Sequence, residues 1–294
     1  MRAVRDRERL GLWLMAAPFL LGVAILVVLP ALLTFAMSLF RWDLVRDPSF
    51  LGLDNFRELL HDLNFRAAMR NSLTYLAIAV PVRLVLAAGL ALLLQPRFPG
   101  GAAVRGTVFL PAVIPDVAYA LLWVWILNPL YGPLNLALEA LGLPTPAWLS
   151  VGGPARWGVI IMGVFQLGET FLVAFAARRL VPSQLYELAA EQGAGPWSRM
   201  WRVTLPLMLP TLLLLLLRDT ALSLQATFVP ALLVTEGGPP PNATLYLPLF
   251  VYRNAFSYFR YGYAAAATVW MFALTASIVW LQYRVVRRFR ATWT

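Results

Sequence analysis

Hydrophobic positions in this chain fall in long unbroken runs and not in the short alternations of half-buried elements. From Leu10 to Phe40 no residue is charged. Five further runs follow at about 71–95, 106–127, 157–177, 205–234 and 261–283. Each reaches the roughly 20 residues that an α-helix needs to cross the apolar part of a bilayer. The pattern predicts an all-α integral membrane protein with six transmembrane helices, forming a single transmembrane domain over 1–294. Polar connections containing Pro and Gly separate the runs, the longest at about 41–70, 128–156, 178–204 and 235–260. The first run exceeds the roughly 7 to 15 apolar residues of a signal-peptide core, so it reads as a retained anchor.

Composition points the same way, with 60% hydrophobic residues, 13% charged residues and a mean hydropathy of +0.70. A soluble domain carries about a quarter charged residues. The formal charge of +10 belongs to arginines flanking apolar runs, not to a compact basic domain, so nucleic acid is not an expected partner and membrane lipid is. With the N-terminus inside, fourteen arginines face the cytoplasm (2, 5, 7, 9, 97, 105, 178, 179, 199, 202, 284, 287, 288 and 290). Eight face outward (41, 46, 57, 66, 70, 156, 253 and 260). The positive-inside rule then places both termini and the 178–204 loop in the cytoplasm.

All 24 basic residues are arginine, and a phosphate-binding loop of the G-x-x-x-x-G-K-[ST] type needs a lysine, so the chain is not its own P-loop ATPase. The absence of cysteine and the single histidine exclude disulfides and any His/Cys metal cluster. That histidine, His61, sits in the polar run "RELLHDLNFR" and reads as a solvated helix face.

The loop "LYELAAEQGAGPWSRMWRVTLPLMLP" is too polar to span a bilayer and too regular for a spacer. Ser183 is placed to cap a helix after Pro182, with Leu185, Leu188 and Ala189 on one side and Glu187 and Glu191, four apart, on another. Gly193 suits the left-handed residue that ends a helix. Pro196 suits the first turn of the next helix, and Pro206 is expected to break or bend it at the membrane. These features fit a connector helix lying on the membrane surface.

The same residues resemble the loop of permease subunits in binding-protein-dependent ATP-binding-cassette importers. That loop carries Glu-Ala-Ala, three residues, Gly, nine residues, Ile, one residue and Leu-Pro. Here the positions are Glu187, Leu188, Ala189, Gly193, Val203, Leu205 and Pro206, with every spacing kept. Leu188 and Val203 are mild departures, and Gln192 stands where sugar permeases usually have aspartate. Four further segments are similar to the carbohydrate-uptake branch that includes maltose, trehalose and glycerol-3-phosphate permeases. They are "FLGLDNFREL", "FLPAVIPDVAYALLWVWILNPLYGPLN", "VTEGGPPPNATLYL" and "YRNAFSYFRYGYAAA".

The resemblance implies the type I importer permease fold and a subunit of a sugar, polyol or sugar-phosphate importer in a bacterial or archaeal plasma membrane. It implies a second homologous permease, two cytoplasmic ATPase subunits that hold ATP and Mg, and an extracytoplasmic solute-binding protein. This chain would bind no cofactor, metal or nucleic acid and would hydrolyse nothing. Ser183, Leu185, Tyr186, Glu187, Leu188, Ala189, Ala190, Gly193, Leu205 and Pro206 would form its ATPase-coupling loop.

Five charges lie within the apolar runs: Arg83, Asp116, Glu169, Arg218 and Asp219. Such charges also suit an ion-coupled secondary carrier, the alternative function, but that class does not account for the spaced loop. Arg218 and Asp219 are adjacent, point about 100° apart on a helix and are expected to find partners on other spans. Arg83 is expected to be structural, and Asp116 follows Pro115 at a predicted polar kink. Sugar binding needs hydrogen-bonding groups at membrane depth, which Gln166 and Glu169, three apart, offer, followed by Asn128 and Gln225. Helix-to-helix bonding would use Gln166 and Glu169 equally well. Trp123 and Trp125 fit an interfacial aromatic belt.

Overall fold

The computed structural model describes residues 2–43, 45, 47–95, 99–238 and 242–290. Arg46, Arg97 and the prolines at 239–241 of the "VTEGGPPPNATLYL" segment lie outside the described residues. Apart from one short hairpin, the described regular elements are helices. Five are long and apolar enough to cross a membrane: Gly11–Met37, Leu63–Leu93, Gly152–Arg179, Pro196–Leu233 and Tyr261–Arg287. A sixth crossing is supplied by Gly101–Ala112 with Asp116–Ile126, if that pair is one span.

The chain forms two compact units, Met1–Asp62 with Val251–Phe272, and Leu63–Phe250 with Ala273–Thr294. In the first unit, helix α1 (Arg2–Val23) runs through a π-helical turn (Ala24–Val28) into α2 (Leu29–Met37). The turn precedes Pro30, and the Leu29 amide reaches back five residues to the Ala24 carbonyl. Widening the helix there accommodates a residue that lacks an N–H and crowds the carbonyl four positions earlier. The hairpin β1 (Phe40–Arg41) and β2 (Ser49–Phe50) follows, then α3 (Asp54–His61). Asn55 explains the "FLGLDNF" segment: its buried amide donates to the carbonyls of Ser38 at 2.8 Å and Phe40 at 3.0 Å. Gly52, at φ +61°, makes the turn that delivers it.

The second unit is built on α4 (Leu63–Leu93), which keeps Pro81 inside a 31-residue helix. After it come α5 (Gly101–Phe109), α6 (Asp116–Ile126), α7 (Pro133–Ala140), α8 (Gly152–Phe165) and α9 (Gly168–Arg179). Next come α10 (Ser183–Glu191), α11 (Pro196–Arg199), α12 (Leu205–Ala226) and α13 (Phe228–Leu233). The last are α14 (Leu247–Tyr252) and α15 (Tyr261–Arg290), each of which begins in one unit and ends in the other.

Helix α4 packs on α8, α9 and α12. Small residues allow this closeness, since Ala87, Ala91 and Ala174 are fully buried beside Phe171, Met208 and Leu215. Asn71 and Ser72 of α4 hold residues 242–247: Asn71 donates to the carbonyls of Asn242 and Leu245, and Ser72 accepts the Leu247 amide.

Two apolar runs that read as single spans are interrupted. The run at 106–127 bends by 102° between α5 and α6. The run at 157–177 breaks at Gln166 and Leu167, between α8 and α9. The breaks meet, because a Cβ on Gly168 would lie 2.8 Å from the Phe109 carbonyl and 2.9 Å from Ala112. Trp123 also departs from the expectation of an interfacial belt. It is buried among Tyr119, Leu127 and Met162, while Trp125 is 52% exposed.

Candidate functional site

The two breaks and the charged stretches of α4 and α12 enclose a cavity of about 320 Å³ within the second unit. Its polar lining is Arg83, Asp116, Gln166, Glu169, Thr170, Arg218, Asp219 and Ser223. All five charges singled out in the apolar runs thus face one space.

Each charge arrives by a traceable route. Pro115, in the extended region at ψ 140°, takes the cap position of α6 and puts Asp116 in its first turn. The Gln166 amide donates to Asp116 Oδ1 at 3.2 Å, tying the two breaks together. Gln166 and Glu169 therefore do share a surface, although they straddle a break and do not sit three apart on one helix.

Asp219 is the inner anchor. It is 3% exposed, accepts from Thr170 Oγ1 at 3.2 Å and lies 3.8 Å from the Arg83 guanidinium, so three helices meet on one carboxylate. Arg83 in turn donates to the Tyr75 hydroxyl at 3.2 Å. Arg218 is paired with Glu169 across α9 and α12. Contrary to the expectation from helix geometry, it also reaches its neighbour Asp219, at 3.6 Å, a distance the long arginine side chain can close.

Asn128 and Gln225 do not line this cavity. Asn128 Oδ1 accepts the amides of Leu130 and Tyr131, which makes it a turn-forming residue after α6. Gln225 lies exposed near the end of α12. Thr170 and Ser223 are cavity residues that hydropathy reading passes over, since a hydroxyl in an apolar run carries no signal until its neighbours are placed.

The second candidate surface is α10 with its flanks. No α10 residue is buried: Leu185 is 36% and Leu188 54% exposed, and Glu187 makes no ion pair among the described residues. Ser183 does not act as the cap. Pro182 occupies the cap position, Ser183 is the first helical residue and no side chain closes the start.

The far end is sharply defined. Gly193 takes φ +77°, the Gly193 amide donates to the Ala190 carbonyl, and the Ala194 amide donates to that of Ala189, both at 2.9 Å. These two bonds are the Schellman ending. Pro196 opens α11, and a π-helical turn (Met200–Thr204) leads into α12. Pro206 therefore does not break the helix: the Leu205 amide reaches the Met200 carbonyl, the same widening seen ahead of Pro30. Tyr186 ties α10 to this segment through Thr204 Oγ1 at 2.8 Å, with the Arg178 guanidinium 4.8 Å from its ring centroid.

The second unit thus has interrupted spans, a charged cavity where the breaks meet and an exposed, tethered loop helix. The comparisons are specific. Residues 83–291 match the family described as binding-protein-dependent transport system inner membrane component. The chain is 30% identical over 284 residues to a probable ABC transporter permease, YesP, of Bacillus subtilis, covering 95% of this chain and 91% of that relative. It is 29% identical over 280 residues to the trehalose/maltose transport system permease MalF of Thermococcus litoralis, covering 95% and 94%. Over 283 residues it is 27% identical to the sulfoquinovosyl glycerol transport system permease SmoG of Agrobacterium fabrum, covering 95% and 91%.

Among solved structures, a chain of a bacterial ABC transporter involved in importing the acidic polysaccharide alginate superposes with a TM-score of 0.81. It shares 25% identity and covers 98% of this chain and 99% of that one. The chain belongs to the binding-protein-dependent inner-membrane permease family and has the type I ABC importer permease fold.

Proposed function

We propose that this permease forms half of the translocation pathway of an ATP-driven importer for a sugar, polyol or sugar phosphate. In this scheme α10 is the helix through which separate ATPase subunits move the spans. The observation that carries the proposal is the Glu187, Gly193, Leu205-Pro206 spacing set on an exposed helix that ends in a fixed left-handed turn. The relatives support it through their names, which specify trehalose/maltose and sulfoquinovosyl glycerol transport. A structural neighbour supports it too, having been solved with an alginate pentasaccharide-bound periplasmic protein.

Both termini and α10 then face the cytoplasm. A second homologous permease completes the pathway, ATP and Mg sit on two ATPase subunits, and an extracytoplasmic binding protein delivers solute. With no lysine for a phosphate-binding loop, this chain contributes motion and a path, not hydrolysis. Exposed Leu185 and Leu188 supply apolar contact to a groove, and Glu187 offers a carboxylate to a basic partner.

The polar cavity is the solute-facing part of this half. Gln166 and Glu169 are the groups we assign to solute hydroxyls, because they stand at the mouth of the network while Arg83 and Asp219 are buried behind them. In vesicles holding the whole complex, Gln166→Ala and Glu169→Gln are each expected to raise the half-saturating solute concentration for ATP-dependent uptake about tenfold, the size of one lost charge-assisted hydrogen bond. Unchanged affinity and solute range in both variants would remove the assignment.

A further inference from the structure

We infer that the cavity admits uncharged polyhydroxylated solutes and excludes anionic ones such as sugar phosphates, sulfonates or uronates, with Asp116 as the residue that sets this preference. The inference rests on the pathway role given to the cavity above and narrows its solute class.

The charge balance of the lining carries it. Three carboxylates, Asp116, Glu169 and Asp219, face the space against two guanidiniums, Arg83 and Arg218. Both guanidiniums are neutralised within the protein: Arg83 lies 3.8 Å from Asp219, and Arg218 is paired with Glu169 and lies 3.6 Å from Asp219. Asp116 has no cation within ion-pair distance among the described residues, and its one side-chain contact is the Gln166 amide at 3.2 Å. By formal count the cavity is therefore left with an excess of one carboxylate and no guanidinium that lacks a carboxylate neighbour. Specific binding of a phosphate, sulfonate or carboxylate uses such a cation, normally a bidentate arginine.

A neutral polyol asks for the opposite. Its hydroxyls donate to carboxylate oxygens, which accept and cannot donate while ionised. The lining also holds polar atoms without a partner in the chain. Ser223 Oγ and Arg83 Nε are buried and make no hydrogen bond, on residues that are 0% and 7% exposed. Hydroxyl groups, which both donate and accept, suit this mixed set.

The chain has no cysteine, so a thiol placed in the cavity is unique within it. In the intact importer complex, Ala226→Cys, at a small cavity-lining residue, is to be reacted with a cationic and an anionic methanethiosulfonate, trimethylammonioethyl and sulfonatoethyl. Labelling is read by the mass of this chain. The cationic-to-anionic rate ratio, normalised to free cysteine, is expected to rise about tenfold, on the order of the effect of one unpaired charge lining the same cavity. Asp116→Asn in the same background is expected to return the ratio close to that of free cysteine.

Maltose and digalacturonate then serve as neutral and anionic competitors. Maltose is expected to slow labelling at a concentration at least tenfold lower. An anionic reagent that reacts as fast as the cationic one, a ratio indifferent to Asp116→Asn, or equal protection by digalacturonate would each overturn the inference. A raised ratio with protection by neither sugar would overturn its solute half together with the pathway role, while leaving the field of the cavity as inferred.

Discussion

Gly193→Val is expected to abolish stimulation of ATP hydrolysis by loaded binding protein while leaving membrane levels and assembly with the second permease normal. At φ +77° a β-branched residue is strained by about 1 to 3 kcal/mol. Beyond the two adjoining residues no atom lies within 4 Å of where the new Cβ would stand, so the cost falls on the turn itself. The chain relieves it by giving up the Schellman bonds from Gly193 and Ala194, and then the angle between α10 and α11 is no longer fixed. Insertion of the apolar spans does not depend on that angle. ATPase activity of the reconstituted complex, with and without solute-loaded binding protein, reads the effect. Full stimulation in the valine variant would reduce α10 to a surface connector.

The second large effect is on stability, and it comes from Arg83. Asp219 is buried where α4, α9 and α12 converge, and Arg83→Met would leave its carboxylate with only Thr170 and the more exposed Arg218 nearby. Removing one member of a buried pair costs about 3 to 5 kcal/mol, and the remaining Arg218 contact places this case at the lower end. Replacing both members, with Arg83→Met and Asp219→Leu, removes the uncompensated charge and is expected to recover most of the loss, since a matched apolar pair is often neutral or better. The melting temperature of the detergent-purified complex is the measurement, and the single variant should melt well below both the parent and the double variant. A double variant no more stable than the single would mean that the buried charge is not what destabilises the protein.

The contrast between these two sites explains which features could be read from the sequence. Helix α10 was legible because its determinants are local. A proline before it, a glycine after it and helical spacing between fix its limits at Ser183 and Glu191 whatever surrounds it. The capping role assigned to Ser183 failed by one position, because Pro182, extended at ψ 136°, takes the cap place itself. The cavity was only half legible. Hydropathy singles out Arg83, Asp116, Glu169, Arg218 and Asp219 as costly in a membrane, but it does not say that they meet.

Their meeting depends on the interruption at Val113–Pro115, where Pro115 does announce a kink, and on the one at Gln166–Leu167, which an apolar run conceals. Leucine and valine are equally apolar on either side of a bend, and the close approach of Gly168 to Phe109 is a contact between distant parts of the sequence. Pro206 shows the same limit from the other direction. A local rule predicts a break or a bend, and of the two the break is avoided by a π-helical turn that is just as compatible with the missing amide.

Contact between α10 and a separate ATPase is tested most directly by a cross-link from Leu188. The residue is 54% exposed on a helix with no buried side chain, and the chain has no other cysteine to confuse the result. Leu188→Cys in the intact complex, reacted with a benzophenone maleimide and then irradiated so that the ketone inserts into a C–H bond of whatever lies against it, is expected to join this chain to an ATPase subunit, with a yield that changes when ATP is added. A Leu188→Cys thiol that a small maleimide labels freely, with no cross-link to the ATPase in either condition, would contradict the role proposed for α10.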